Sequence, residues 1–288
     1  MKIKKAAVIG SGLMGRGIAQ TIAQAGIDCV NIDILPEQIK TAEENVKANL
    51  KKLLSKDKIN AERMNEILSF LRFSTHYEEI SEADIIVEAV PEKMELKKQV
   101  FSQIDKLAGK NAVLVSNTSG LSISEIASVT ERPDRVIAIH FFYPAPIMKL
   151  TEIIKGIQTS QATYDTARDF CETIGKVPVD APELPGFLVN RILVPMMNEG
   201  AFCVMEGSKP EDVDKAMKLG ANLPMGPLEL ADFVGLDVMM ATMEGLYEGF
   251  KDSKYRPCPL IRTLVKAGHT GRKSGRGFYD YTVQKPNM

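Results

Sequence analysis

Short apolar runs alternate with amphipathic stretches through the first two thirds of the chain. Ala6-Ala7-Val8-Ile9 has no polar position and reads as a strand buried on both faces. Gly10 to Gly15 follows it, then helical spacing to Ala25, which Gly26 closes. Cys29 to Ile32 predicts a second strand, ending at Asp33. Pro36 stands where the first turn of a helix begins. Ile39, Val46, Leu50 and Leu53 then mark one face of a long helix whose other face is rich in lysine. Ile85 to Val87, Ala112 to Val115, Val136 to Ile139 and Ile147 to Ile154 predict further strands. Ser122 with Glu125 has capping-box spacing before a short helix. Strands alternating with helices predict an α/β, Rossmann-like, doubly wound, mostly parallel sheet.

The pattern changes after about Pro182. Phe187 to Met205 predicts a helix in spite of Pro195, and Pro210 opens another. No strand is predicted beyond this point until Gly277-Phe278-Tyr279. Ala181 to Gly186, rich in proline, is the expected linker. The expected domains are therefore 1–184, the α/β unit, and 185–288, all-α.

Composition narrows the function classes. The 288 residues are 44% apolar, enough for one large or two ordinary cores, and the net charge is -1. Such a balance draws in neither nucleic acid nor a membrane surface. Cys29, Cys171, Cys203 and Cys258 lack metal or redox spacing, which suits free thiols in a reducing compartment. With no signal-peptide pattern and no bilayer-length apolar run, a cytoplasmic protein is expected.

The chemistry concentrates in two places. Gly10-Ser11-Gly12-Leu13-Met14-Gly15 is a GxGxxG loop after a strand and before a helix, with an acid ending the next strand. Alone the motif is weak, but that context is what a dinucleotide loop requires. Gly10 serves the tight turn, Gly12 the approach of the pyrophosphate and Gly15 the close packing of helix on strand. Asp33 accepts from a ribose and repels a 2'-phosphate, and Ile34 and Leu35, not arginines, follow it. NAD(H) is expected, with NADP(H) as the alternative. The second place is His140-Phe-Phe-Tyr-Pro-Ala-Pro-Ile-Met-Lys-Leu-Thr-Glu152. If its apolar flanks are strands joined by a tight connection, the carboxylate reaches the imidazole. A histidine so held is a general base for a hydroxyl proton. A lone histidine more often simply packs at a strand end, and His76 and His269 are taken as surface residues. The methionines after Phe187 suit core or interface packing.

These motifs, with Ser116-Asn117-Thr118-Ser119, Pro185 to Arg191, Gly226-Pro227-Leu228-Glu229-Leu230 and Gly271 to Tyr279, resemble the L-3-hydroxyacyl-CoA dehydrogenases. Within that family the bacterial 3-hydroxybutyryl-CoA enzymes of butyrate metabolism are the most similar branch. The resemblance covers nearly the whole chain. It implies an NAD-dependent exchange between short-chain (S)-3-hydroxyacyl-CoA and 3-oxoacyl-CoA, with acetoacetyl-CoA the expected partner. It also implies His140 as the proton-transfer residue, Glu152 as its orienting acid, and Ser119 and Asn190 at the substrate oxygens and the nicotinamide end. Glu92, Lys97, Asn117 and Lys273 match positions on the cofactor side, beside Leu13 and Met14 of the loop. Lys56 and Asn49 match positions near the CoA moiety. Two residues depart from the family pattern: Tyr143 replaces an asparagine that contacts the cofactor, and Asn49 replaces a serine. The resemblance further implies a homodimer through the second domain and a substrate bound where the domains meet. Two other readings compete. One is a free hydroxy-acid dehydrogenase of similar plan, which needs a helical catalytic lysine not evident near Asn190 to Glu199. The other is a non-enzymatic, crystallin-like dinucleotide binder, which the intact His140 and Glu152 disfavour.

Overall fold

The computed structural model describes residues 2–282. The chain divides into two compact units, Met1–Glu183 and Leu184–Met288. None of the helices among the described residues is long and apolar enough to cross a membrane.

The first unit is built on one sheet. Its strands are β1 (Lys5–Ile9), β2 (Asp28–Ile32), β3 (Leu71–Ser74), β4 (Ile85–Glu88), β5 (Val113–Ser116), β6 (Val136–Phe141), β7 (Leu150–Lys155) and β8 (Val177–Ala181). Their order is β3-β2-β1-β4-β5-β6-β7-β8. Every neighbouring pair is parallel except β6 with β7. Helices α1 (Leu13–Gln24), α2 (Pro36–Leu54), α3 (Ala61–Ser69), α4 (Met94–Leu107), α5 (Ile123–Ala127) and α6 (Gln161–Thr173) connect the strands. The central strands are mostly apolar because both faces are covered, with Glu88, Ser116 and His140 as buried polar exceptions at or near their C-terminal ends. Helix α1 buries Ile18, Ala19, Ile22 and Ala23, an i, i+1, i+4, i+5 stripe, and Gly26 ends it at φ 75°. Helix α2 buries Ala42, Val46 and Leu50, while Lys47, Lys51 and Lys52 face water. Ser122 caps α5 by accepting from the Glu125 N–H at 3.1 Å.

Two strands escape the apolar pattern, β3 and β8, and both are sheet edges. An edge strand has one neighbour only, so Leu71-Arg72-Phe73-Ser74 and Val177-Pro178-Val179-Asp180 lack a continuous apolar run. The expected strand from Ile147 is corrected: β7 begins at Leu150. Ile147 and Met148 instead lie in the preceding turn, where their N–H groups donate to the Pro144 carbonyl. The expected linker also begins later, because Ala181 closes β8.

The second unit is helical: α7 (Val189–Met205), α8 (Pro210–Gly220), α9 (Pro227–Val234), α10 (Leu236–Phe250) and α11 (Pro259–Lys266). Helix α7 starts two residues after the expected Phe187, which sits at a positive φ of 48°. Val194, Met197, Leu228, Met239, Met243 and Ile261 make its core. The expected strand at Gly277 to Tyr279 is not one. Single bridges, Gly271 with Arg276 and Arg276 with Asp280, replace it. Two buried aspartates clasp that segment. Asp232 accepts from the N–H groups of Phe278 and Tyr279, each at 3.0 Å, and from the Tyr281 hydroxyl at 3.1 Å. Asp214 accepts from the N–H groups of Leu228 and Glu229 and from the Tyr279 hydroxyl at 2.6 Å. Burial outweighs these bonds at Asp232 and raises its carboxyl above the usual range.

Candidate active site

The loop after β1 is shaped by atoms that leave no room for a side chain. Gly10 has φ 96°, and a Cβ there would lie 2.8 Å from the Ala89 carbonyl oxygen. A Cβ on Gly15 would lie 1.8 Å from the Gly10 oxygen, so α1 can approach β1 only with glycine at that position. Around Gly12 a Cβ would meet nothing within 4 Å. That open side, at the N-terminus of α1, is where backbone can approach a pyrophosphate. The Ser11 hydroxyl is buried there without a hydrogen-bond partner. These residues fit a dinucleotide. Leu13 is exposed and Met14 half-buried at the start of the helix.

Asp33 follows β2 directly and ties the loop down. One carboxylate oxygen accepts from the Ser11 N–H at 2.8 Å and the other from the Leu35 N–H at 3.0 Å. Asn31 does comparable work from inside the strand. Its side-chain amide donates to the carbonyls of Val8 and Gly10, both at 3.1 Å, and it is fully buried. The only sign of Asn31 in the sequence is one amide in an otherwise apolar run.

The fold-back of β7 on β6 sets His140 directly opposite Glu152. His140 Nδ1 lies 2.8 Å from Glu152 Oε2, with the residues 6% and 1% exposed. At this distance a carboxylate oxygen can accept from Nδ1–H, a bond that fixes how the ring is turned. The Phe142 ring packs against the imidazole at 4.5 Å between centroids, tilted by 50°. Asn117, just past β5, accepts from the Phe141 N–H at 2.9 Å and so fixes the end of β6 beside His140.

Ser119 is exposed, and its N–H donates to Glu92 at 2.7 Å. The same Glu92 oxygen accepts from the Thr118 hydroxyl at 2.6 Å. Lys97 is enclosed, its side chain 1% exposed. Its ammonium donates to Glu88 at 2.6 Å and to the Val90 carbonyl at 3.3 Å, and stands 3.4 Å from Glu92. Glu88, fully buried, also accepts from the Ser116 hydroxyl and the Val90 N–H, each at 2.7 Å. Lys97 thus bridges Glu88 and Glu92 in a buried cluster, where the two carboxylates offset the cost of enclosing its charge. Asn49 and Lys56 are exposed on and just after α2, and the Asn49 amide reaches Gln20 at 3.5 Å. His76 is exposed and His269 half-buried.

In the second unit Asn190 is half-buried in the first turn of α7. Lys273 is exposed and pairs with Asp237 at 2.6 Å. The Asp232 and Asp214 clasps hold the segment that carries it.

Comparison with known proteins identifies the family. Residues 5–184 match the model of the 3-hydroxyacyl-CoA dehydrogenase NAD-binding domain, and residues 186–281 that of the C-terminal domain of the same family. A 3-hydroxybutyryl-CoA dehydrogenase of Clostridioides difficile is 49% identical over 96% of this chain and 99% of its own. A probable 3-hydroxybutyryl-CoA dehydrogenase of Bacillus subtilis is 47% identical over 98% of each. The crystal structure of the (S)-3-hydroxybutyryl-CoA dehydrogenase PaaH1 from Ralstonia eutropha superposes with a TM-score of 0.94 at 43% identity, covering 97% of this chain and 99% of that one.

Proposed function

Since the chain belongs to the 3-hydroxyacyl-CoA dehydrogenase family, we propose that it interconverts (S)-3-hydroxybutyryl-CoA and acetoacetyl-CoA, with NAD(H) preferred over NADP(H). The observation that carries this reading is the buried His140–Glu152 pair in a unit with an open dinucleotide loop. The nicotinamide, when bound, supplies or accepts the hydride at carbon 3. In oxidation, His140 Nε2 takes the 3-hydroxyl proton and Glu152 stabilises the imidazolium; in reduction the proton returns the same way. Ser119 and Asn190 hold the substrate oxygens and the nicotinamide end, and Asn117 keeps the end of β6 in place. Gly10, Gly12 and Gly15 shape the phosphate loop that Leu13 and Met14 flank. Glu92, Lys97 and Lys273 serve the cofactor side, Lys97 by holding Glu92, and Lys56 and Asn49 the CoA moiety. Asp33 carries the cofactor preference. Two backbone N–H groups fix its charge at the end of β2, and the exposed Ile34 and Leu35 supply no cation for a 2'-phosphate.

The same reading makes the protein a cytoplasmic homodimer of butyrate or fatty-acid metabolism, paired through the second unit. Ile192, Leu219, Phe233 and Val238, all exposed, support that pairing surface. Loss of NADH absorbance with acetoacetyl-CoA, repeated with NADPH, tests both halves. Fast turnover with NADH alone is expected. Preference for NADPH overturns the role of Asp33 and directs attention to Tyr143. No turnover with either, but turnover on free 3-hydroxybutyrate, overturns the thioester substrate. His140→Gln should lower turnover about 100-fold or more while NADH still binds.

A further inference from the structure

The turn between β6 and β7 joins His140 to Glu152, yet it has few bonds of its own. The Pro144 carbonyl accepts from the N–H groups of Ile147 at 2.9 Å and Met148 at 3.0 Å. Ile147 and Met148 are 73% and 40% exposed and give it little anchorage. A cation from outside the turn supplies what is missing. Lys176, only 7% exposed, donates from Nζ to the carbonyl of Ala145 and, at 2.7 Å, to that of Met148.

The base of that side chain is set by local structure. Helix α6 ends in a left-handed Gly175 (φ 75°), and the Lys176 N–H reaches back to the Cys171 carbonyl at 2.9 Å. This is a Schellman closure, which fixes the direction of the residue after the glycine. The next N–H, of Val177, donates to Lys149 at 2.8 Å. Lys176 is therefore projected from a rigid point onto the turn. Among the described residues it has no carboxylate partner; main-chain carbonyls alone meet its charge. Burial pulls its ammonium below the usual lysine range. A buried cation without a counter-charge opposes folding unless its hydrogen bonds are worth keeping. Helix α1 closes the other side. A Cβ on Gly17 would stand 3.3 Å from the Ala145 Cβ and 3.4 Å from the Pro146 Cδ.

We infer that Lys176 is a positioning residue for the reaction: its ammonium locks the turn between β6 and β7, and through that turn the register of His140 on Glu152. The inference rests on the proposed role of His140 in proton transfer. Lys176→Met keeps the unbranched apolar stem, one heavy atom shorter, and removes the charge and its donors. In the full-length enzyme it should lower kcat about 10- to 100-fold, because small displacements of a proton donor are heavily penalised, while KM and NADH affinity stay within about twofold. A lysine that serves stability alone would lower the melting temperature and leave kcat unchanged, and that result overturns the inference. Gly17→Ala probes the turn from the opposite side with the cation intact, since its methyl group presses on Ala145. It should reproduce a smaller, kcat-selective loss, and it decides the matter alone if Lys176→Met does not fold. Unchanged kcat in Gly17→Ala then overturns the inference. His140→Gln, assayed in parallel, separates the two levels. Full activity in that variant refutes the role of His140, whereas an inactive His140→Gln beside a fully active Lys176→Met refutes only the clamp.

Discussion

Replacing Glu152 by Gln isolates the charge in the His140 pair. The amide oxygen can still accept from Nδ1–H, so tautomer and ring orientation survive. What disappears is the negative charge 2.8 Å from the imidazole, in a site where the two residues are 6% and 1% exposed. Little water screens that charge, so its loss is felt almost in full. A hydrogen bond to a charged group contributes about 1.5–3 kcal/mol. At about 1.4 kcal/mol per tenfold change in rate, kcat should fall about 10- to 150-fold. Glu152→Ala removes orientation as well as charge and leaves a buried imidazole nitrogen facing a void, so it should fall further. The assay is steady-state NADH oxidation with saturating acetoacetyl-CoA, beside an NADH titration that should not change. The ordering parent, Gln, Ala is the discriminating result. Equal kcat in parent and Glu152→Gln would refute the claim that this carboxylate stabilises the imidazolium. Equal loss in Gln and Ala would show that charge alone matters and that orientation does not.

Two further predictions use other parts of the molecule. Gly12→Ala has open space around its methyl group and extended backbone, so stability should change by less than about 0.5 kcal/mol while NADH affinity falls at least about tenfold; Gly15→Ala, whose Cβ would sit 1.8 Å from a carbonyl, should lose stability and binding together, as thermal melts with and without NADH will reveal. In a native thiol titration Cys203, the one half-buried cysteine, should react first, because Cys29, Cys171 and Cys258 are buried and desolvation raises their thiols, Cys171 to about 12; rapid reaction of all four would mean that the cores open far more readily than their packing implies.

The parts of the site that could be read along the chain are those whose partners are near in sequence or occur in a fixed order. The glycine loop and Asp33 belong to one βαβ unit, so motif and context lie within thirty-odd residues. His140 and Glu152 are joined by a single turn, and two apolar flanks were enough to imply the fold-back. Central strands announced themselves because burial on both faces demands unbroken apolar runs. The edges β3 and β8 carried no such demand. The end of the chain misled, since Gly277-Phe278-Tyr279 has strand composition but is held by carboxylates, not by a ladder.

What the tertiary structure alone decided is which polar side chain meets which. Asn31 under the Gly10 loop, Lys97 between Glu88 and Glu92, the Asp214 and Asp232 clasps, and Lys176 on the Ala145 and Met148 carbonyls have no motif in common. Each is a buried polar group whose desolvation must be offset by partners up to tens of residues away, and those partners exist only once the sheet and helices are packed. Local sequence determines where strands and helices form and what chemistry the ends of β1 and β6 present. Long-range packing determines which of the remaining polar groups hold that chemistry in place, because hydrogen bonding depends on distances and angles that sequence separation does not encode.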